Sequence, residues 1–439
     1  MDELFDLPPR DPEPREEGRA RPRLQRPDRA QITLRPSDLE SLLPADHRAR
    51  LVWAFVEGLD LSAFHARIKA VEGHSGRPPI DPAILVALWL YATLEGVGSA
   101  RALDRLCAEH DAYRWICGAV GVNYHTLADF RVSEADLLDA LLVQSVAALL
   151  ATGEVTLTRV AHDGIRVWAS AGAGSFHRRA TIERALAAAE AQVAALKREL
   201  EDDPAATSRR VTAARERAAR ERVARARRAL EALPAIEAAK RRTQKKGRPP
   251  AEARASTTDP EARVMRLADG GYRPAYNGQL TSDVGSGLVV GVAVTDVGSD
   301  QGQLAPAIRQ IERAFGRTPA DVLADSGYVT FPDIEALAGH GSRLYAPPAV
   351  PRAARDPHAP LPADPPAVAE WRARMGTEAA KTLYRRRAAT AEWVNALARN
   401  RGLWQLPVRG LHKVRSVLLW FALAHNLART LAIPSAPAG

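Results

Sequence analysis

Three acidic residues from distant parts of the chain could together hold divalent cations. Asp163 lies within HDGIRV, Asp325 ends the apolar run DVLAD, and Glu392 lies in the helical stretch YRRRAATAEWVNALARN. Breaking a phosphodiester bond requires one oxygen to be activated and another to be stabilised as it leaves, and two metal ions about 3.5–4 Å apart can do both. Magnesium prefers carboxylate oxygens and water as ligands. Three carboxylates brought together would therefore suit a two-metal site.

Each acid also has an ordinary structural explanation. An aspartate before glycine is common in turns, an aspartate after a strand often caps a helix, and a glutamate among arginines on a helix is usually solvated or ion-paired. Taken singly, each acid is better explained in this way. Other acids that flank predicted strands compete with Asp325, namely Asp283, Asp296 and Asp300. His162 is expected to be packed or exposed, because a two-metal site needs no separate base.

Charge and cysteine content narrow the class of protein. The chain has 61 Lys and Arg against 52 Asp and Glu, a net charge of +9. This balance fits a polyanionic partner such as nucleic acid, although a GC-rich genome would also enrich Arg and Ala. The two cysteines cannot form a disulfide framework or a four-ligand zinc site. The N-terminus is not a secretory signal and no apolar stretch predicts a membrane span, so we expect a cytoplasmic protein without membrane contact.

Apolar periodicity divides the chain into four regions. Residues 1–36 are rich in Pro, Arg and Glu and are predicted to be a disordered tail. Residues 37–153 have apolar spacings of three and four and predict an all-helical domain. Residues 154–175 and 261–439 alternate strands and helices, which predicts an α/β domain with a mixed sheet. Residues 176–260 form an insertion between the two parts of that domain.

Within the α/β region we predict a hairpin centred on Asp163 and Gly164, because Asp-Gly is a strong turn signal. A second strand pair covers 276–284 and 287–297. After it we predict a helix at 303–315, a strand at 321–325, a helix at 332–339, a strand at 342–347 and two C-terminal helices.

The insertion has the pattern of a coiled-coil-like helical hairpin. Two segments carry apolar residues four and three apart, and Asp202, Asp203 and Pro204 separate them. Each apolar stripe needs a partner, so the two helices are expected to pack antiparallel. The basic linker after them contains Lys246-Gly247-Arg248-Pro249, which is similar to the core of a minor-groove AT-hook.

Taken together, these motifs resemble the DDE transposases of bacterial insertion sequences over about residues 34–431. The N-terminal match is SGRPPIDPAILVALWLYATLEGVGSARALDRLCAEHDAYRWICG with NYHTLADFR. The later matches are AHDGIRVWASAG, STTDPEARVM, YNGQLTSD, VLADSGY, YRRRAATAEW and VRGLHKVRSVLLWFALAHNLART. The resemblance implies a helical DNA-binding domain at 37–153 and an RNase H-like catalytic domain interrupted by a helical hairpin, as in the group called eleven-eighty-two.

The resemblance also implies roles for individual residues. Asp163, Asp325 and Glu392 would be the catalytic acids and would bind two Mg²⁺ or Mn²⁺ ions. The third-acid signature of the family runs Tyr, Arg, Glu and then Lys or Arg. Arg387 and Glu392 are one residue further apart than the commoner spacing. Of the signature residues, Tyr384, Arg387 and Arg399 are implied to contact DNA.

Independently of the resemblance, NYHTLADFR could present a recognition helix with Arg131 towards phosphate, although an arginine on an amphipathic helix is more often solvated. Lys246 and Arg248 of the AT-hook-like motif are the other predicted DNA contacts.

The predicted function is metal-dependent strand cleavage and strand transfer on double-stranded DNA. The substrates would be the inverted-repeat ends of the element and the target DNA, and a homodimer on DNA would act in the cytoplasm, associated with the nucleoid. The alternative is a catalytically inactive, transposase-derived DNA-binding protein, whose hallmark would be a missing acid. All three acids are present in this sequence.

Overall fold

The structure is a computed structural model that describes residues 30, 38–70, 78–202, 209–242, 252–350 and 355–431. Apart from Ala30, the tail predicted to be disordered lies outside these residues. The linker that contains Lys246 and Arg248 lies outside them as well.

The N-terminal part of the described chain is helical, as the spacing of its apolar residues predicts. Its helices are α1 (Arg48–Glu57), α2 (Ser62–His65), α3 (Pro82–Leu94), α4 (Ala100–Glu109), α5 (Asp111–Cys117), α6 (Tyr124–Ser133) and α7 (Ala135–Ala151). The start of α3 follows ordinary capping rules, because the Asp81 side chain accepts a hydrogen bond from the Ala83 backbone N–H and Pro82 is the first residue. Nearly every side chain of α3 is buried, so this helix lies at the centre of the helical region.

A mixed sheet follows, as predicted, and it has six strands in the described chain. Its strands are β1 (Arg159–Trp168), β4 (Arg263–Arg266), β5 (Tyr272–Asp283), β6 (Val289–Thr295), β7 (Asp321–Leu323) and β8 (Arg343–Tyr345). Of these, β4 was not predicted. The long strand β5 pairs with β4 and β6 on one side and is antiparallel to β1 on the other. Beyond β1, the strands β7 and β8 run parallel to it. A small second sheet joins β2 (Phe176–His177) to β3 (Ala255–Ser256).

The predicted hairpin at Asp163 and Gly164 is wrong. Both residues lie inside the continuous strand β1, where they pair with Leu280 and Gln279 of β5. Gly164 is needed for close packing rather than for a turn: a Cβ atom there would lie 2.9 Å from Asn277 Oδ1 and 2.9 Å from Asp300 Oδ1. Contacts with residues far along the chain therefore override the local turn preference of Asp-Gly.

The helices of the α/β region are α10 (Leu304–Phe315), α11 (Phe331–Gly339), α12 (Pro366–Met375), α13 (Glu378–Tyr384), α14 (Trp393–Asn400) and α15 (Leu411–Thr430). The expectation of two C-terminal helices is therefore wrong, since four follow β8 in the described chain. Helix α15 is buried over most of its length and packs on α3, α6, α7 and β6. One hydrophobic core consequently runs from the N-terminal helices into the sheet.

The insertion forms the predicted antiparallel hairpin of α8 (Arg179–Asp202) and α9 (Arg209–Arg242). Its apolar contact is made by Ile182 of α8 with Ala226 and Leu233 of α9, all buried. On the outside Arg227 pairs with Glu190 at 2.6 Å, which agrees with helices that run in opposite directions. None of the described helices has the length and apolar composition that crossing a membrane requires.

Candidate active site

Asp163 lies in the middle of β1 with its side chain largely buried. Its Oδ2 atom accepts hydrogen bonds from Arg387 Nη1 and Asn395 Nδ2, each at 3.1 Å. Its Oδ1 atom accepts one from the Gly164 backbone N–H at 2.9 Å. Asn395 also donates to the Gly164 carbonyl oxygen at 3.4 Å. These contacts hold the carboxylate in one orientation. Asn395 was not among the residues predicted for the site, although it follows Glu392 by three residues on the same helical stretch.

Asp325 follows β7 and begins a short 3₁₀ turn, Ser326–Tyr328. Its Oδ1 atom accepts a hydrogen bond from the Gly327 backbone N–H at 2.7 Å. The parallel register pairs Ala161 of β1 with Leu323 of β7. Asp163 and Asp325 each lie two residues beyond that pair and therefore point to the same face of the sheet, with their backbones about 5 Å apart across the strands. The register places the two aspartates side by side.

Glu392 is connected to Asp163 through Arg387. The two terminal nitrogens of Arg387 bind different acids: Nη1 contacts Asp163, and Nη2 contacts Glu392 Oε1 at 2.9 Å. The Arg387 side chain is only 10% exposed, whereas the Glu392 side chain is 55% exposed. A nearly buried guanidinium thus lies between the first and the third acid.

An irregular helical segment makes this contact possible. The residues between α13 and α14 form a 3₁₀ turn, Arg385–Arg387, and a π-helical turn, Ala388–Glu392. In a regular α-helix, side chains five residues apart point about 140° away from each other. A π-helical turn contains one extra residue, and such turns are frequent at functional sites. It absorbs the unusually long spacing between Arg387 and Glu392 and returns both side chains to one side.

The three acids do not form a metal cluster as they stand. Among the described residues, no three His, Cys, Asp or Glu side chains are arranged so that they could hold a metal ion. In this conformation the guanidinium of Arg387 provides the positive charge between Asp163 and Glu392. Burial raises the pKa of Asp163; the charge of Arg387 opposes this shift, and the charge of nearby Asp325 adds to it.

The opposite face of β1 carries a buried polar network. His162 contacts Thr281 Oγ1 through Nδ1 and Gln279 Oε1 through Nε2, both at 2.8 Å. The Tyr328 hydroxyl donates to the same Gln279 oxygen at 2.7 Å. His162 is therefore a packed core histidine, and burial lowers its pKa to about 4. Through Tyr328, this network attaches the turn that carries Asp325 to β1.

The competing acids have structural partners of their own. Asp283 accepts hydrogen bonds from Ser286 in the turn between β5 and β6. Asp296 pairs with Arg263 at 2.9 Å. Asp300 accepts from Asn277 at 2.7 Å and pairs with Arg166 at 2.8 Å. These contacts give each of them an ordinary role in the fold.

The remaining predicted contact residues lie in different places. The guanidinium of Arg387 lies 6.0 Å from the ring of Tyr384. Arg399 lies 5.8 Å from the ring of Trp404 and lines a cleft of about 300 Å³ beside Gly164. Two arginines that the sequence analysis missed, Arg166 and Arg266, line the same cleft.

Arg131 differs from the expectation. Instead of projecting from an exposed recognition helix, it is 8% exposed. Its Nη1 atom donates to the carbonyl oxygen of Gly98, and its guanidinium lies 4.8 Å from the ring of Trp89.

Comparison with known protein families adds two matches. Residues 37–133 match the family model described as Transposase domain (DUF772), and residues 364–431 match the Transposase DDE domain. The second match contains the π-helical turn and Glu392. The chain is a DDE transposase. No curated protein and no solved structure matches it.

Membership in this family defines the general chemistry. DDE transposases are polynucleotidyl transferase-type enzymes that act on DNA, and they generally use divalent metal ions. Helices α1–α6 and α12–α15 fall within the matched stretches, whereas α7 and the helical hairpin lie between them. Nothing in the two matches favours the inactive alternative.

Proposed function

We propose that Asp163, Asp325 and Glu392 are the catalytic acids of this transposase and bind two Mg²⁺ or Mn²⁺ ions. The reaction is cleavage at the inverted-repeat ends of an insertion sequence, followed by transfer of the freed 3′ end into target DNA. The observation that carries the proposal is the register of β1 and β7, which puts Asp163 and Asp325 side by side, with Glu392 joined to Asp163 through Arg387.

The topology of the sheet supports an RNase H-like catalytic domain at 154–175 and 261–439. Three antiparallel strands, β6, β5 and β1, are continued by the parallel strands β7 and β8. Apart from the insertion and the short strand β4, the elements follow the order βββ–α–β–α–β along the chain. In α/β sheets, functional residues from separate strands collect near strand ends, and Asp325 lies at such an end.

The carboxylates fit divalent cations in chemistry and in charge. Within the described part of the chain, Asp325 accepts a hydrogen bond only at Oδ1 and Glu392 only at Oε1. The charge of Asp325 adds to the rise in the pKa of Asp163, and a cation would relieve that repulsion. When bound, divalent ions activate the attacking oxygen and stabilise the leaving oxygen. Arg387 holds Asp163 and Glu392 in position until cations replace its charge.

Arginines of the cleft at Gly164 would hold the DNA backbone. They are Arg166 and Arg266 together with Arg399, which lies on α14, the helix that begins directly after Glu392. Guanidinium groups bind phosphate oxygens in bidentate fashion, and such contacts position a duplex without reading its sequence. Once released from the acids, Arg387 could bind phosphate in the same way, beside the ring of Tyr384.

The other regions receive roles that depend on the family. We assign DNA binding to the helical domain at 37–153 and, through Lys246 and Arg248, to the basic linker of the insertion at 176–260. A homodimer bound to two DNA ends is the proposed active form. Membership in the eleven-eighty-two group rests on the position of the helical insertion between β1 and β5.

The test uses the full chain and a duplex that contains the DNA flanking its gene. Asp163→Asn, Asp325→Asn and Glu392→Gln should each abolish nicking in Mg²⁺ or Mn²⁺ while leaving DNA binding in a gel-shift assay intact. Asp296→Asn, which removes an acid paired with Arg263 instead, is the matched control and should retain cleavage. Full activity in any of the three variants removes that residue from the site. A wild-type chain that binds the duplex but never cuts it in either metal would support the inactive alternative.

A further inference from the structure

A second cavity lies away from the three acids, between the N-terminal helices and the C-terminal part of the chain. Its volume is about 480 Å³, within the roughly 300–1,000 Å³ of small-molecule sites. One wall consists of residues between Trp89 and Arg131, and the other of residues between Arg401 and Phe421. Both walls fall inside the stretches that match the two transposase models. The cavity therefore lies where these two parts of the protein meet.

Three arginines, Arg101, Arg131 and Arg401, line this cavity, and among the described residues no carboxylate does. Arg131 is almost completely buried, and its Nε atom has no hydrogen-bond partner among the described residues. Burial lowers its pKa to about 10. Arg401 Nη1 is likewise buried without a partner in the described chain, and burial lowers its pKa as well. Glu95 interacts electrostatically with Arg401, but its carboxylate already forms an ion pair with Arg48 at 3.0 Å.

Of the three arginines, Arg131 is buried, Arg401 half-buried and Arg101 exposed. A buried cation such as Arg131 is costly without a counter-charge, so an anion in this cavity would be stabilised. The remaining wall is aromatic: Trp89, Tyr124 and Trp420 line it, together with Phe421. Arg101 lies 5.0 Å from the ring of Tyr124. Aromatic and guanidinium faces stack on nucleobases, and arginines bind phosphates through charge-assisted hydrogen bonds. The wall thus offers complementary surfaces to both halves of a nucleotide.

We propose that this cavity binds one unstacked nucleotide of a DNA strand, with its phosphate on the arginines and its base on the aromatic rings. The proposal rests on the DNA-binding function of the family, but it involves none of the three acids and no metal ion. A nucleotide taken out of the stack costs a few kcal/mol, which a fitted pocket can offset. Binding there would hold the DNA against both matched parts of the transposase at once.

The test measures binding of thymidine 5′-monophosphate to full-length protein in EDTA by isothermal titration calorimetry. Thymidine and inorganic phosphate are the separate halves of this probe, and each should bind at least about tenfold more weakly than the nucleotide. Oligothymidylate of about ten residues should displace the nucleotide and bind more tightly, because further phosphates add charge contacts. Titration to about 5 mM nucleotide reveals even a millimolar Kd.

Two variants test the cavity in different ways. Arg401→Gln removes one of the uncompensated charges and should weaken nucleotide binding about tenfold or more, the loss expected for a charge-assisted hydrogen bond. Gly98→Phe keeps every charge and fills the cavity; an added Cβ at Gly98 would meet no atom within 4 Å, so the fold should tolerate it. Arg317→Gln, at an exposed arginine outside the cavity, is the matched control and should bind as the wild type does. Circular dichroism and thermal unfolding verify that each variant is folded.

Three outcomes overturn the proposal. The first is an absence of saturable nucleotide binding, and the second is equal binding by the wild type, Arg401→Gln and Gly98→Phe. The third is a failure of oligothymidylate to displace the bound nucleotide. That result would make the cavity a site for a free nucleotide rather than for a DNA strand. Because every measurement is made without metal, none of these results bears on the three acids. Loss of DNA cleavage in the Asp163, Asp325 and Glu392 variants likewise leaves the cavity untouched.

Discussion

Replacing Arg387 by glutamine would remove the positive charge that lies between Asp163 and Glu392. The side chains of Arg387 and Asp163 are 10% and 17% exposed, so their ion pair is nearly buried. Removing one partner of a buried pair costs about 3–5 kcal/mol because the other charge is left uncompensated. Asn395 still donates to Asp163, and we therefore expect a loss near the lower limit, about 3 kcal/mol of unfolding free energy.

The assay is chemical denaturation in EDTA and again in MgCl₂. Without metal, Arg387→Gln should unfold at clearly lower denaturant concentration than the wild type. Arg386→Gln is the matched control, because Arg386 is the exposed neighbour; exposed substitutions usually change stability by less than about 0.5 kcal/mol. Added Mg²⁺ should reduce the deficit of Arg387→Gln, since a cation that binds only the folded state stabilises it by mass action and replaces the lost charge.

Two results would refute this reasoning. If Arg387→Gln and Arg386→Gln unfold together in EDTA, the buried pair contributes little to the fold. If Mg²⁺ leaves the difference between them unchanged, the cation does not bind where the guanidinium lies, and the position proposed for the metal is wrong.

Three further changes test other parts of the site. Deleting Ala389 should preserve DNA cleavage, because the π-helical turn can relax to an α-helix with Arg387 and Glu392 still on one side. Deleting Ala396 from the regular helix α14 should abolish cleavage, because the residues after the deletion rotate by about 100° relative to those before it. Gly164→Ala should cost about 1–3 kcal/mol in chemical denaturation, since the new Cβ overlaps the side chains of Asn277 and Asp300. Stability should fall as the pH drops from about 6.5 towards 4, because burial lowers the pKa of His162 and of His425 to about 4 and the unfolded chain protonates them first. His162→Gln should reduce that dependence.

Each of these expectations has a control or an opposing result. A folded Ala389 deletion that no longer cuts DNA would show that the π-helical turn itself is needed. Gly121→Ala is the control for Gly164→Ala, because a Cβ added at Gly121 meets no atom within 4 Å. Equal stability of the two variants would contradict the packing argument. If the stability of the wild type and of His162→Gln changes by the same amount with pH, protonation of His162 does not contribute to the pH dependence.

Local patterns predicted much of the secondary structure. The apolar spacing of α3 and of the hairpin helices α8 and α9 was sufficient because a helix must bury its apolar stripe, and that stripe is visible in the residues themselves. The strand pair β5 and β6 was predicted for a similar reason, with glycines marking the turn between them. The four C-terminal helices were underestimated as two, because short segments such as α12 and α13 are too brief to show a clear period.

Asp163 shows where local reasoning fails. Asp-Gly favours a turn when only neighbours in the chain are considered. In the folded protein, Gly164 provides space for Asn277 and Asp300, which lie more than a hundred residues away in sequence. No local pattern contains that information, and so the turn was predicted where a strand continues.

By itself, the sequence determined the chemistry that is available: three acids in separate motifs, a basic chain, a helical first half and a mixed sheet in the second. Only the tertiary structure decided how these groups meet. It placed Asp163 beside Asp325 through the register of two strands, introduced a guanidinium between Asp163 and Glu392, and enclosed Arg131 in a cavity instead of exposing it. The physical reason is that these contacts join residues far apart in the chain, and their energies depend on burial, which appears only when the elements pack together.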